Sequence, residues 1–174
     1  SPPYGSDDRT ARTDEFVLKI TPTTDAVTTI GPSLGSSTGK YKTAVLAATG
    51  DIYAPPYTAE FVLKIEPATD TVTTIGGSLG TTENKYEVAV LARNGAIYAP
   101  PLGASSVLKI VPGADTVTTI FTMRDAAGRP LGTHVSKYAA AVLSRAGVIY
   151  APPLNVEFVL EIDPATDAVA TVGP

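Results

Sequence analysis

Apolar and polar residues alternate in short bursts along this chain, and the bursts recur in a fixed order. Val17-Leu18-Lys19-Ile20 returns as Val62-Leu63-Lys64-Ile65, as Val107-Leu108-Lys109-Ile110 and as Val159-Leu160-Glu161-Ile162, at intervals of 45, 45 and 52 residues. Short runs rich in Val, Ile, Thr and Tyr, bounded by Gly, Pro, Asn and Asp, have the composition and length of strands. A fixed period of this size means that each repeat is one supersecondary unit stacked on the next.

Every complete repeat predicts four strands. The first covers residues 41–47, with counterparts at 86–92 and 138–144, and its Ala, Val and Leu suit packing on both faces. A Gly-containing turn follows at Thr49-Gly50, Asn94-Gly95 and Ala146-Gly147. Asn-Gly between apolar runs signals a hairpin, because both residues tolerate positive φ. The second strand reads Ile52-Tyr53-Ala54, Ile97-Tyr98-Ala99 and Ile149-Tyr150-Ala151, each stopped by Pro-Pro, which donates no ladder hydrogen bond. The third spans 16–20 and its copies and runs into Pro22-Thr23-Thr24-Asp25, a turn whose Pro and Asp recur at Pro67 and Asp70, Pro112 and Asp115, and Pro164 and Asp167. Proline presets φ early in such a turn and Asp tolerates the left-handed region. The fourth strand covers 27–30, 72–75, 117–120 and 169–172.

Four strands per repeat of about 45 residues is what a β-propeller blade requires. The segment Phe61-Val62-Leu63-Lys64-Ile65-Glu66-Pro67-Ala68-Thr69-Asp70-Thr71-Val72, with the Ala-Val-Leu-Ala, Asn-Gly and Ile-Tyr elements that follow it, resembles the YVTN-type propeller repeats. The resemblance covers nearly the whole chain and implies an all-β propeller without implying an activity. Ile-Tyr-Ala-Pro-Pro stands where that family has its namesake strand, and the chain has no Trp for a WD-type signature.

The outer hairpin, strands three and four, occurs four times, whereas the inner hairpin occurs three times. Ser1-Pro2-Pro3-Tyr4 matches the tail of a missing inner hairpin. The expected organisation is a single propeller segment of three and a half blades, with a half blade at 1–31 and whole blades at 40–76, 85–121 and 137–174. An open arc leaves blade faces and strand edges exposed. We therefore expect either further blades, in a longer parent chain, or association of chains.

Composition narrows the function classes. The 174 residues are ample for a core, and fifteen Gly and fifteen Pro punctuate many short elements. A net charge of −4 argues against nucleic-acid binding, which needs a concentrated basic surface. With no cysteine, disulfides, thiolate zinc sites and cysteine nucleophiles are excluded, and the compartment stays open. No apolar stretch approaches the ~18 residues of a membrane span.

Candidate site residues lie where the repeat is interrupted or where it places a charge. Residues 5–14 enlarge a loop between a second and a third strand, and seven extra residues near 121–130 enlarge a blade-to-blade loop; both open on the same face. They carry Asp7, Asp8, Arg9, Arg12, Arg124, Asp125 and Arg129, a mixed charge that suits a protein partner, with the single His134 beside the second insertion. Loops on a uniform scaffold are where binding residues are expected. Lys40, Lys85 and Lys137 precede the first strand of each whole blade and form either a partial cationic ring or a set of stems covering the next Tyr with wet amines. Tyr53, Tyr98 and Tyr150 are either a carbohydrate platform or interblade core. Neither a metal nor a cofactor is expected, since no calcium loop, phosphate loop or paired His ligands are present. No catalytic constellation is recognisable, so the chain is expected to be a non-enzymatic interaction or scaffold module. The alternatives are a small-ligand or glycan binder, or part of a larger propeller enzyme.

Overall fold

The computed structural model describes residues 15–122 and 136–173. It contains fourteen strands and no α-helix among these residues. The first two strands, β1 (Val17–Thr21) and β2 (Ala26–Ile30), form an isolated antiparallel hairpin. Three four-stranded antiparallel sheets follow. The first comprises β3 (Val45–Leu46), β4 (Ile52–Ala54), β5 (Val62–Glu66) and β6 (Thr71–Ile75), and the second β7 (Val90–Leu91), β8 (Ile97–Ala99), β9 (Ser106–Val111) and β10 (Thr116–Thr122). The third comprises β11 (Val142–Leu143), β12 (Ile149–Ala151), β13 (Val159–Asp163) and β14 (Ala168–Val172). Each sheet pairs its strands in chain order, the meander that successive hairpins impose. Three and a half four-stranded repeats are therefore present.

Local sequence explains the strand ends. Pro55, Pro100 and Pro152 stop β4, β8 and β12 one residue after the Tyr-Ala pair, for want of an N–H. Asp25, Asp70, Asp115 and Asp167 all adopt the left-handed conformation, with φ between 49° and 58°. The carboxylates of Asp70, Asp115 and Asp167 each accept hydrogen bonds from the preceding sheet.

Two expectations change. The innermost strands are two residues long rather than seven, because residues 40–44 and their copies are occupied elsewhere: Tyr41 bridges Pro56, and the Lys40 carbonyl accepts the Tyr57 N–H at 2.8 Å. In the Asn94-Gly95 turn only Gly95 has positive φ, 83°. Gly95 N–H donates to Ala92 (3.0 Å) and Ala92 N–H to Ala96 (2.9 Å), so the loop is a type I turn closed by a left-handed glycine. The Asn94 side chain is used instead: its Oδ1 accepts the Ala96 N–H and its Nδ2 donates to the Pro164 carbonyl of the next sheet at 2.6 Å.

The core lies in the seams between sheets. Tyr53 and Val62 on one face of the first sheet pack on Ile97, Leu108 and Ile110 of the second. Tyr98 and Val107 of the second pack in the same way on Ile149, Leu160 and Ile162 of the third. A smaller cluster joins β1–β2 to the first sheet through Val17, Leu63 and Val72. Among the described residues both ends of the stack are open, with Leu18 (51%), Ile20 (65%) and Val27 (59%) exposed at one and Leu154 (55%) and Val172 (47%) at the other.

Candidate functional site

The repeated charges are spent on the seams. Lys85 and Lys137 are 1% and 0% exposed, and their ammonium groups donate to backbone carbonyls. Lys85 Nζ bonds the Thr82 carbonyl at 2.5 Å and approaches that of Thr58 at 3.4 Å. Lys137 Nζ bonds the Ala104 carbonyl, in the loop of the preceding sheet, at 2.9 Å. Lys40 is buried at the equivalent place. A solvent-facing cationic ring is thus not what Lys85 and Lys137 form, and the wet-amine reading fails for the same reason: the loop after the Pro-Pro pair folds over each ammonium.

Burial has an electrostatic consequence. Desolvation holds Lys137 at about 8, below the ordinary 10.5, and Lys85 is lowered by the same cause. A base with a depressed folded pKa binds fewer protons folded than unfolded between those two values, so stability rises with pH there. The unfolding free energy from denaturant titrations is expected to increase from pH 8 to 9.5, by on the order of 1–2 kcal/mol, and Lys137→Met should flatten the rise. A flat or falling wild-type curve in that window would remove the linkage. Above pH 10 the buried tyrosines act in the opposite sense, since burial raises Tyr138 to about 12.

Two of the three second-strand tyrosines, Tyr53 and Tyr98, also belong to the seams, whereas Tyr150 is only partly buried. Tyr53 and Tyr98 are fully buried and donate their hydroxyls to Asp115 (2.8 Å) and Asp167 (2.6 Å) of the following sheet. Burial first, and then these hydrogen bonds, raise both phenols.

What remains for a ligand or partner is the end of the sheets where second strands lead into third strands and one sheet leads into the next. Lys42 lies 3.2 Å from Glu87 and sits over the Tyr57 ring, 3.9 Å from its centroid. Tyr57 first and Glu87 second hold this exposed ammonium above the ordinary lysine value. Beside them a cavity of about 590 Å³ is lined by Thr38, Tyr57, Thr58, Glu60, Glu83 and Asn84, among others. A second, of about 430 Å³, shares Thr58 and Glu60. Hydroxyls, carboxylates and one aromatic ring equip this surface for hydrogen bonding to a polar or basic partner.

None of these five residues, Lys42, Tyr57, Glu60, Glu83 and Glu87, was among the sequence candidates. A signal was available, because Lys42, Glu87 and Ala139 occupy one repeat position, and Tyr57, Leu102 and Leu154 another. Arg9, Arg12, Arg124, Asp125, Arg129 and His134, with Asp7 and Asp8, lie outside the described residues. Among the described residues no group of three or more His, Asp or Glu is arranged to hold a metal ion.

The sequence matches no protein-family model and no curated protein. Solved structures do match. Virginiamycin B lyase from Staphylococcus aureus superposes with a TM-score of 0.66 at 9% identity, over 91% of this chain and 48% of that one. A streptogramin B lyase matches with a TM-score of 0.65 at 11% identity, over 91% and 47%.

The chain is built of β-propeller blades.

The resemblance to YVTN-type blades thus holds at the level of fold. Hydrazine synthase from Kuenenia stuttgartiensis also matches, with a TM-score of 0.59 at 12% identity over 91% of this chain and 43% of that one. This chain spans about half the length of the two lyases it matches. These likenesses also correct one expectation. Two of the matched propellers are lyases, so the lack of a recognisable catalytic constellation does not support the reading of this propeller as a non-enzyme. Fold alone does not decide function, which lives in a site grafted on the scaffold. No helix among the described residues is long and apolar enough to cross a membrane.

Proposed function

We propose that this propeller segment is a rigid scaffold presenting its loop-bearing end to a protein partner. The observation that supports the reading is the contrast between seam and loop end. Seam residues repeat in register from blade to blade, whereas Lys42, Tyr57 and Glu87 depart from the repeat and gather beside the polar cavities. Symmetric positions serve packing, and a site for one partner has to break that symmetry. Mixed charge around an aromatic ring fits a protein surface, where aromatic residues anchor and charges set register.

The test is charge reversal. Lys42→Glu, Glu60→Lys and Glu83→Lys together are expected to weaken retention of a captured partner about tenfold or more while leaving the melting midpoint in place. Thr49→Lys, in the hairpin turn at the opposite end of the sheet, should leave retention unchanged. Equal losses, or none, would overturn the assignment of this end.

A second reading rests on the match to about half of two lyases. It makes the same end part of a catalytic site shared with further blades. Turnover of virginiamycin B by the intact protein, abolished by the triple reversal, would favour it over the first.

A further inference from the structure

The seams share a contact code. Tyr53 and Lys64 are cross-strand partners on β4 and β5, so both side chains leave the sheet on the same face. Asp115, ending the β9–β10 turn of the next blade, accepts from the Tyr53 hydroxyl at 2.8 Å and from Lys64 Nζ at 2.8 Å. Tyr98 and Lys109 are paired likewise on β8 and β9, and Asp167 accepts from both. At the first seam Lys19 donates to both carboxylate oxygens of Asp70, at 2.6 and 2.8 Å. Each blade therefore reads its successor through one turn aspartate, held in the left-handed conformation that points it across the seam.

The third sheet breaks the code. Tyr150 is again paired with the residue opposite on the next strand, but that residue is Glu161. The cross-strand pairing sets this carboxylate beside the Tyr150 phenol, whose pKa it raises chiefly through its negative charge. This face is also the uncovered one: Pro152 and Pro153 are exposed where Pro100 and Pro101 are buried, and Leu154 is 55% exposed against 4% for Leu102. An aspartate arriving here would meet a carboxylate instead of an ammonium.

The other open end carries just such an aspartate. Asp25 occupies the β1–β2 turn with φ 53°, on a hairpin whose Leu18, Ile20 and Val27 are uncovered. Apolar area alone would drive this hairpin onto the open face of the third sheet in a second copy. Charge opposes it, because the contact sets Asp25 against Glu161, and juxtaposed like charges in a desolvated seam are a device against a wrong partner.

We propose that the open face of the β11–β14 sheet accepts a partner blade whose outer-hairpin turn carries Lys or Arg where the blades of this chain carry Asp, and that Glu161 excludes a second copy of this chain. The occupant is a propeller blade because the face repeats the main seam residues of the two covered sheets, Tyr150 and Val159 standing where those sheets have Tyr53 and Val62, and Tyr98 and Val107. It is a blade of different sequence because all four turns in this chain are acidic.

The intact chain supplies its own probes. Asp25→Lys places a cation on the incoming turn, and Glu161→Lys restores the seam lysine on the receiving face. Sedimentation equilibrium should find each single variant self-associating about tenfold or more tightly than wild type, since each sets opposite charges across the contact. The double variant, with like charges again, should return to wild-type behaviour. A mixture of labelled wild type with the Asp25→Lys chain should form a heterologous complex through the native Glu161. If Asp25→Lys lowers the melting midpoint, Glu161→Lys decides, because it lies on a strand. Wild type associating as tightly as the single variants, or single variants no tighter than wild type, would overturn the proposal.

Discussion

Replacing Tyr98 by alanine is expected to destabilise the protein by about 3–5 kcal/mol, the cost of deleting a large buried aromatic from a close-packed site. Tyr98 is fully buried in the seam between the second and third sheets, among Val107, Tyr138, Ile149 and Leu160. Its hydroxyl donates to Asp167 at 2.6 Å and accepts from Asn94 Nδ2 at 3.3 Å. Alanine removes the ring and also leaves Asp167 with Lys109 alone. Tyr98→Phe isolates the second effect and should cost about 1–2 kcal/mol, one buried hydrogen bond to a charged group. Urea unfolding of the two variants measures both. A loss under 1 kcal/mol for alanine would show that the seam is not where the core lies.

Gly76→Ala should cost about 2–4 kcal/mol, through left-handed strain and steric overlap together. Gly76 follows β6 with φ 79°, and a Cβ there would stand 2.6 Å from Val117 Cβ and 2.8 Å from its Cγ2, across the seam. Gly31 meets Val72 in the same way at 2.4 Å. Gly80 provides the control: its φ is 84°, with nothing within 4 Å of an added Cβ, so Gly80→Ala should show the backbone strain alone, about 1 kcal/mol. Equal losses at the two positions would mean that the close approach to Val117 relaxes freely. Phe121 holds the third equivalent place at φ 51°, and there the β9–β10 register shifts between Ile120 and Thr122. A side chain is accommodated at that point by a bulge.

Much of the fold could be read from short stretches of chain. Strand ends at Ala54, Ala99 and Ala151 follow from the prolines after them, and the left-handed turn aspartates from their tolerance of positive φ. These are local steric facts, and repetition made them unmistakable. The shortness of β3, β7 and β11 was not legible, because residues 40–44 have strand composition and are diverted by partners such as Pro56 and Tyr57, fifteen or more positions away.

The candidate site was less legible still. Lysine at 40, 85 and 137 looks identical whether it faces water or a seam; the carbonyls that fold over Lys85 and Lys137 include those of Thr58 and Ala104, 27 and 33 residues earlier in the preceding blade's loop. Lys42 and Glu87 meet because consecutive blades place repeat-equivalent residues side by side, 45 positions apart.

By itself the sequence determined the repeat, the four strands within it, the turns between them and the all-β propeller class, since all of these depend on periodicity and on the backbone preferences of Pro, Gly and Asp. Only the tertiary structure decided which charges are buried, which tyrosines read the next blade, and that Glu161 inverts the code on an open face. Those properties belong to pairs of side chains on different blades, and their energies depend on desolvation and distance across a seam, which no single stretch of sequence contains.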